Sequence, residues 1–253
     1  MLNIRVIPCL LLHGGGLVKT VRFKDPKYVG DPINAIKIFN EKEVDELILL
    51  DIGASAEGRG PSFSVIEDIA SECFMPVAYG GGIRDIDDMR RILRSGVEKV
   101  VVNSAALRDP GLIRSAAKEF GSQAIVVSLD VKRKLFGRYE IHADRATRPT
   151  GLEPLDFARQ MQDAGAGEIF LTAIDRDGTM SGYDLELLAK VSHAVSIPVV
   201  ACGGAGSVND MRAAVRQGGA SAVAAGSVFV FHGRHRAVLI SYPDAQSLQS
   251  IVR

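Results

Sequence analysis

The sequence is short of cysteine, carries no excess charge and has no long apolar run, and each lack closes off a class of protein. Three cysteines, Cys9, Cys73 and Cys202, are odd in number and far apart among 253 residues. They offer neither a disulfide framework nor a CxxC metal site. Thirty Lys and Arg balance thirty Asp and Glu, so the chain as a whole lacks the basic footprint of a nucleic-acid binder. No apolar run reaches the ~18–20 residues that a membrane helix needs. Met1–Leu12 carries only Arg5 and is interrupted by Pro8, unlike the charged-then-apolar order of a secretory leader. No proline- or serine-rich linker divides the chain. These lacks predict a cytoplasmic protein with one domain over 1–253 and no nucleic acid or membrane as partner. What is present is apolar: 47% hydrophobic residues and a mean hydropathy of +0.13 suffice for a sizeable core and exclude a disordered chain.

Short, nearly all-apolar runs recur along the whole length, as expected of strands buried on both faces of a parallel sheet. They are Ile4–Cys9, Glu46–Asp51, Pro76–Tyr79, Lys99–Asn103, Ala124–Asp130, Glu168–Thr172, Pro198–Ala201 and Ala222–Ala225. Between them, Ile86–Arg94, Pro110–Phe120, Pro154–Ala164 and Ser207–Gln217 have helical spacing. Asp85 and Ser207 stand as N-caps, and Asp109-Pro110 puts proline in a first turn. Eight strand–helix units in about 250 residues fit a (β/α)8 TIM barrel; a doubly wound open sheet is the rival. An internal repeat favours the barrel. Asp45-Glu46-Leu47-Ile48-Leu49 resembles Gly167-Glu168-Ile169-Phe170-Leu171, 122 residues on, and Gly81-Gly82 matches Gly203-Gly204 at the same offset. Two half-barrels of four units close on one another.

Each half carries one glycine-rich strand end, Tyr79-Gly80-Gly81-Gly82 and Ala201-Cys202-Gly203-Gly204. The next strand in each half ends in a small polar pair, Asn103-Ser104 and Gly226-Ser227. Glycine lets backbone approach a ligand, and a following helix start offers free N–H groups to an anion. The second set suits the usual barrel phosphate site after strands seven and eight. Two such cradles at one mouth predict a ligand with two phosphates. Taken blandly, the same glycines only make tight turns.

Leu171-Thr172-Ala173-Ile174-Asp175-Arg176-Asp177-Gly178-Thr179-Met180-Ser181-Gly182-Tyr183-Asp184 resembles the cyclase subunit of imidazole glycerol phosphate synthase (HisF-type). Gly80-Gly81-Gly82-Ile83, Gly121-Ser122-Gln123-Ala124 and Gly203-Gly204-Ala205-Gly206 do the same, and the likeness runs from Arg5 to about Phe231. The resemblance implies a lyase of histidine biosynthesis that takes ammonia from a glutaminase; no cofactor motif and no metal-ligand spacing occurs in the sequence, so neither is expected. It also implies substrate contacts from Lys19, Thr172, Asp177 and Gly178. In that family two aspartates at the ends of strands one and five serve as acid and base. Asp130 occupies the second position, but Leu11 stands at the first, and the internal repeat likewise pairs Leu10-Leu11 with Leu129-Asp130. A leucine cannot transfer a proton. His13 is a nearby substitute, or simply a solvated loop residue; Lys19, in the glycine-flanked loop after strand one, is either a substrate contact, as in the family, or a solvated lysine in a basic stretch with Arg22 and Lys24.

Four charges lie near the opposite ends of strands: Arg5, Glu46, Lys99 and Glu168. In the family such a ring is the gate by which ammonia enters the barrel; otherwise it is a structural ion cluster. A branch of the family linked to acetamidino modification of surface-polysaccharide (lipopolysaccharide-type) sugars resembles this chain at Pro8-Cys9-Leu10-Leu11 and Val18–Asp25. That likeness predicts a glutamine amidotransferase complex, a heterodimer with a glutaminase docked at the barrel's N-terminal face, which passes ammonia to a separate sugar amidotransferase. A true histidine-pathway cyclase and a non-catalytic glutaminase activator are the alternatives. Cys9 and Cys202 read as small core residues, and His232 and His235 as a solvated helix face.

Overall fold

The computed structural model describes residues 4–252. Met1, Leu2, Asn3 and Arg253, which the expected domain and N-terminal segment include, lie outside the described residues. Eight parallel strands form the barrel: β1 Arg5–His13, β2 Leu47–Asp51, β3 Val77–Gly80, β4 Lys99–Val102, β5 Ile125–Arg133, β6 Glu168–Ala173, β7 Val199–Cys202 and β8 Ala222–Ala225. Each pairs with its sequence neighbours; β1 closes on β8 through Arg5↔Ala222 to Pro8↔Ala225. The two halves join where β6 lies along β5 from Glu168↔Val126 to Ala173↔Val131.

Outside run the helices α1 Pro32–Glu41, α2 Phe63–Glu72, α3 Ile86–Arg94, α4 Pro110–Phe120, α5 Pro154–Ala164, α6 Leu185–Ala194, α7 Val208–Arg216 and α8 Ala245–Val252. The expected caps form: Asp85 accepts from the Asp88 N–H at 2.9 Å, Asp109 from Gly111 at 2.8 Å, and Ser207 from Asp210 at 3.3 Å.

Strand alternation sorts the core into two shells. Outward residues such as Leu47, Leu49, Tyr79, Val100 and Val102 pack under the helices. Inward ones, Ile7, Ile48, Val101, Val126, Phe170 and Val200 among them, fill the barrel. Each buried Leu, Ile, Val or Phe contributes roughly 1.5–3 kcal/mol.

Two strands run past their expected ends. β1 continues beyond Cys9 to His13 and turns back as Gly16–Val21 and Lys24–Gly30; β5 continues beyond Asp130 to Arg133 and turns back as Tyr139–Ala143 and Arg148–Pro149. Lys19 therefore sits on a strand, not in a loop. The same outgrowth on the first strand of each half agrees with the internal repeat. A further correction concerns the carboxyl end: His232 closes a short antiparallel pair, Phe231–His232 with Ala237–Val238, and His235 lies in its turn, so there is no helix face there.

Candidate active site in the barrel

The inward positions stack into a charged floor, an apolar middle and a polar mouth. Arg5, Glu46, Lys99 and Glu168 share the inward alternation of Ile7, Ile48, Val101 and Phe170, so all four meet on the axis at the amino ends of the strands. Arg5 is hydrogen-bonded to both Glu46 and Glu168. Lys99 Nζ completes the ring at 2.8 Å from Glu46 and 3.2 Å from Glu168. Both glutamates are buried, while Arg5 and Lys99 keep some exposure at the outer surface. Two cations on two carboxylates satisfy each other where a lone buried charge would be costly.

The mouth is a cavity lined by the apolar side chains of Leu11, Leu50 and Phe170 and by the polar residues Asp51, Asn103, Ser128, Asp130, Thr172 and Asp177. Leu11 and Asp130 both project inward from their strands, as the alternation through Ile7 and Cys9 on β1 and Val126 and Ser128 on β5 requires. Asn103 donates to Asp130 Oδ2 at 3.2 Å and to the Ser128 carbonyl at 3.0 Å. Enclosure by protein pushes the Asp130 carboxyl up to about 7, the Asp177 charge adds to the rise, and the Ser128 hydroxyl opposes it. Such a group can give or take a proton near neutral pH.

Lys19 and Asp177, on opposite sides of the mouth, form a buried ion pair at 3.0 Å, and Thr20 Oγ1 also donates to Asp177 at 3.1 Å. The solvated reading of Lys19 is therefore replaced by a paired one. The pair ties the hairpin after β1 to the loop after β6, where Gly178 fits beneath: a Cβ there would lie 2.2 Å from the Thr20 carbonyl oxygen.

The cradles differ. Gly81, Gly82, Asn103 and Ser104 all line the cavity, whereas of the second set only Cys202 and Gly226 do. Close backbone approach explains both glycine pairs: a Cβ on Gly81 would meet the Asp51 carbonyl oxygen at 2.3 Å, and one on Gly204 the Gly182 carbonyl oxygen at 2.2 Å. A Cβ on Gly203, next to it, would lie 2.7 Å from the Ala173 carbonyl oxygen at the end of β6. Ser227 Oγ is buried without a hydrogen-bond partner, a donor left over at the second cradle.

His13 does not reach the cavity. Its ring rests against Gly53, with Nδ1 3.8 Å from Glu57 Oε1, because β1 leaves the barrel wall at its last residues. It cannot stand in for the missing carboxylate. Cys9 and Cys202 are buried as expected but line the cavity as well; the neighbouring Cys202 thiol, more than burial, raises the Cys9 thiol well above its usual range, which keeps it protonated. Asp51 and Arg145 are among the lining residues that were not legible as candidates. Asp51, at the end of β2, accepts from the Gly53 and Ala54 N–H groups at 2.9 and 3.0 Å; the one signal for it was an acid ending an apolar run. Arg145 comes from the hairpin after β5. Among the described residues, no group of three or more His, Cys, Asp or Glu is placed to hold a metal, and no helix is long and apolar enough to cross a membrane.

The raised Asp130 gives a stability test. The folded protein keeps on Asp130 a proton that the unfolded chain releases from about pH 4 upward. Its contribution is thus full at low pH and is lost as pH rises through about 7. Asp130→Asn is expected to flatten the dependence of Tm on pH between about 4 and 7. At pH 8 it should raise stability by on the order of 2 kcal/mol, about 5 °C at this length, after discounting for the face open to the cavity. Thermal melts across that range check it; an unchanged slope would mean that Asp130 titrates normally.

A family model described as histidine biosynthesis protein matches residues 5–236. Over 248 residues, the chain is 54% identical to a Pseudomonas aeruginosa protein provisionally named imidazole glycerol phosphate synthase subunit hisF2, covering 98% of this chain and 99% of that one. A Leptospira interrogans protein, also provisionally named as that synthase's HisF subunit, is 47% identical over 252 residues, 99% of each chain. The HisF subunit of Alkaliphilus metalliredigens is 47% identical over 232 residues, 92% of each. A closed barrel with this mouth, matched over nearly its whole length, belongs to the histidine biosynthesis protein family. Within that family it is a HisF-type barrel, of the kind named as a subunit of imidazole glycerol phosphate synthase.

Proposed function

We propose that this chain is the barrel subunit of a glutamine amidotransferase complex that receives ammonia and relays it, in service of acetamidino modification of a surface-polysaccharide sugar. A glutaminase docks on the N-terminal face. Ammonia passes Arg5, Glu46, Lys99 and Glu168 and crosses the apolar middle, where a low dielectric keeps it uncharged. It leaves at the mouth toward a sugar amidotransferase. The cradles of Gly81, Gly82, Asn103 and Ser104, and of Gly203, Gly204, Gly226 and Ser227, hold a phosphorylated ligand, with Lys19, Thr172, Asp177 and Gly178 around it. The single observation that carries this reading is Leu11. It puts an apolar side chain on the cavity wall where cyclase chemistry calls for a proton-transferring group.

The deciding experiment supplies the purified barrel with the formimino ribonucleotide substrate and saturating ammonium salt, which removes the need for a glutaminase. The expected result is no cyclisation by a folded protein that still stimulates glutamine hydrolysis by its partner. Turnover at a rate comparable with ordinary cyclase subunits would sink the reading. It would favour the second one, a true cyclase, for which the near-neutral titration of Asp130 speaks.

A further inference from the structure

The charges around the mouth nearly all have partners. Lys19 is paired with Asp177, Arg59 approaches Asp51 at 3.5 Å, and Arg148 holds Asp144 at 2.8 Å. Arg145 is the exception. It lines the cavity and is half-buried, yet among the described residues no carboxylate lies within ion-pairing distance of it and its guanidinium donates no hydrogen bond. Its reach extends across the mouth: the exposed Glu57, beyond β2, is held below the usual carboxylate range first by Arg59 and in part by the charge of Arg145.

The backbone that presents it is held under strain. Asp144, Arg145 and Ala146 take φ of 53°, 56° and 64°, three consecutive non-glycine residues in the left-handed region. The turn persists because its neighbours pin it. Thr147 donates to the Asp144 carbonyl through its N–H at 3.2 Å and its hydroxyl at 2.6 Å, Arg148 Nε donates to the Asp144 carboxylate, and His142 Nδ1 lies 3.2 Å from the Ala146 carbonyl oxygen. None of these bonds uses the Arg145 side chain. The fold thus fixes a strained turn whose one free group is a half-desolvated cation over the cavity.

We infer that Arg145 is an anion clamp, closing from above on a phosphate monoester seated against Gly82 and Ser104. This rests on the phosphate reading of that cradle and adds to it the charge the cradle itself lacks, since glycine N–H groups and small polar side chains carry none. A guanidinium supplies paired donors matched to phosphate oxygens.

The test is phosphate binding by the full chain at low salt, followed by phosphorus-31 line broadening, with inorganic phosphate and then ribose 5-phosphate as probes. The parent is expected to bind both. Arg145→Gln should bind about tenfold more weakly at the first cradle at an unchanged Tm, Arg145→Lys should recover part of the loss, and Ser104→Asp should abolish binding there, leaving only what the second cradle holds. Parent-like binding by Arg145→Gln beside its loss in Ser104→Asp would overturn the clamp and leave the cradle standing. A parent that binds neither probe, or a Ser104→Asp variant that binds as the parent does, would overturn the cradle and the clamp together.

Discussion

Lys99→Ala and Glu168→Ala are each expected to uncouple glutamine hydrolysis from ammonia use. In a complex with the glutaminase, glutamine-driven product formation should fall at least tenfold while glutamate release persists, and saturating ammonium salt should restore product. The geometry gives the reason. Four ion pairs close the barrel floor, and each glutamate is shared between Arg5 and Lys99. Deleting Glu168 leaves both cations to Glu46 alone, and breaking such a buried network costs about 3–5 kcal/mol. The floor would then relax open and admit water, in which ammonia is protonated and held back. Deleting Lys99 leaves two buried carboxylates on one guanidinium, with less structural cost because Lys99 is part exposed. Measuring glutamate and product in the same reaction, beside a thermal melt of each variant barrel, separates a leaky gate from an unfolded barrel. Normal coupling in both variants would leave the ring a purely structural ion cluster.

The ring was legible in the sequence because strand alternation leaves little freedom: a charge two residues before an inward Ile7 or Phe170 must point inward too. The eight strands were legible for a related reason, being apolar on both faces, and α3, α4 and α5 begin and end where their caps and spacing put them. The hairpins were not. Val18-Lys19-Thr20-Val21 and Tyr139-Glu140-Ile141-His142 mix polar with apolar residues, as strands do when they grow out of a barrel wall. No apolar run marks them. Whatever they carry over the mouth was hidden in consequence, which is why Arg145 escaped notice and why Lys19 appeared solvated. His13 misled for the opposite reason: its place along β1 has the inward alternation, but the strand has already left the wall.

Leu11→Asp is expected to raise ammonium-driven cyclisation of the formimino ribonucleotide by about 10²–10⁴ over the parent, the usual contribution of one general acid or base. Leu11 and Asp130 line the same cavity from the first strands of the two half-barrels, so a carboxylate at 11 would stand across the cavity from the one at 130. The site is already only part buried and bordered by Asp51, Asn103 and Thr172, so a charged group there meets polar neighbours and space for water. Lost packing against Leu50 would cost on the order of 2 kcal/mol, which a barrel with this double-shelled core tolerates. The new carboxylate would also raise the Asp130 pKa further, because two like charges in one enclosure disfavour joint ionisation. The activity of the variant should therefore rise and fall around a pH somewhat above 7, with one carboxyl protonated and one ionised. A folded Leu11→Asp protein that binds the ribonucleotide and still fails to turn it over would show that this cavity departs from cyclase chemistry in more than one side chain.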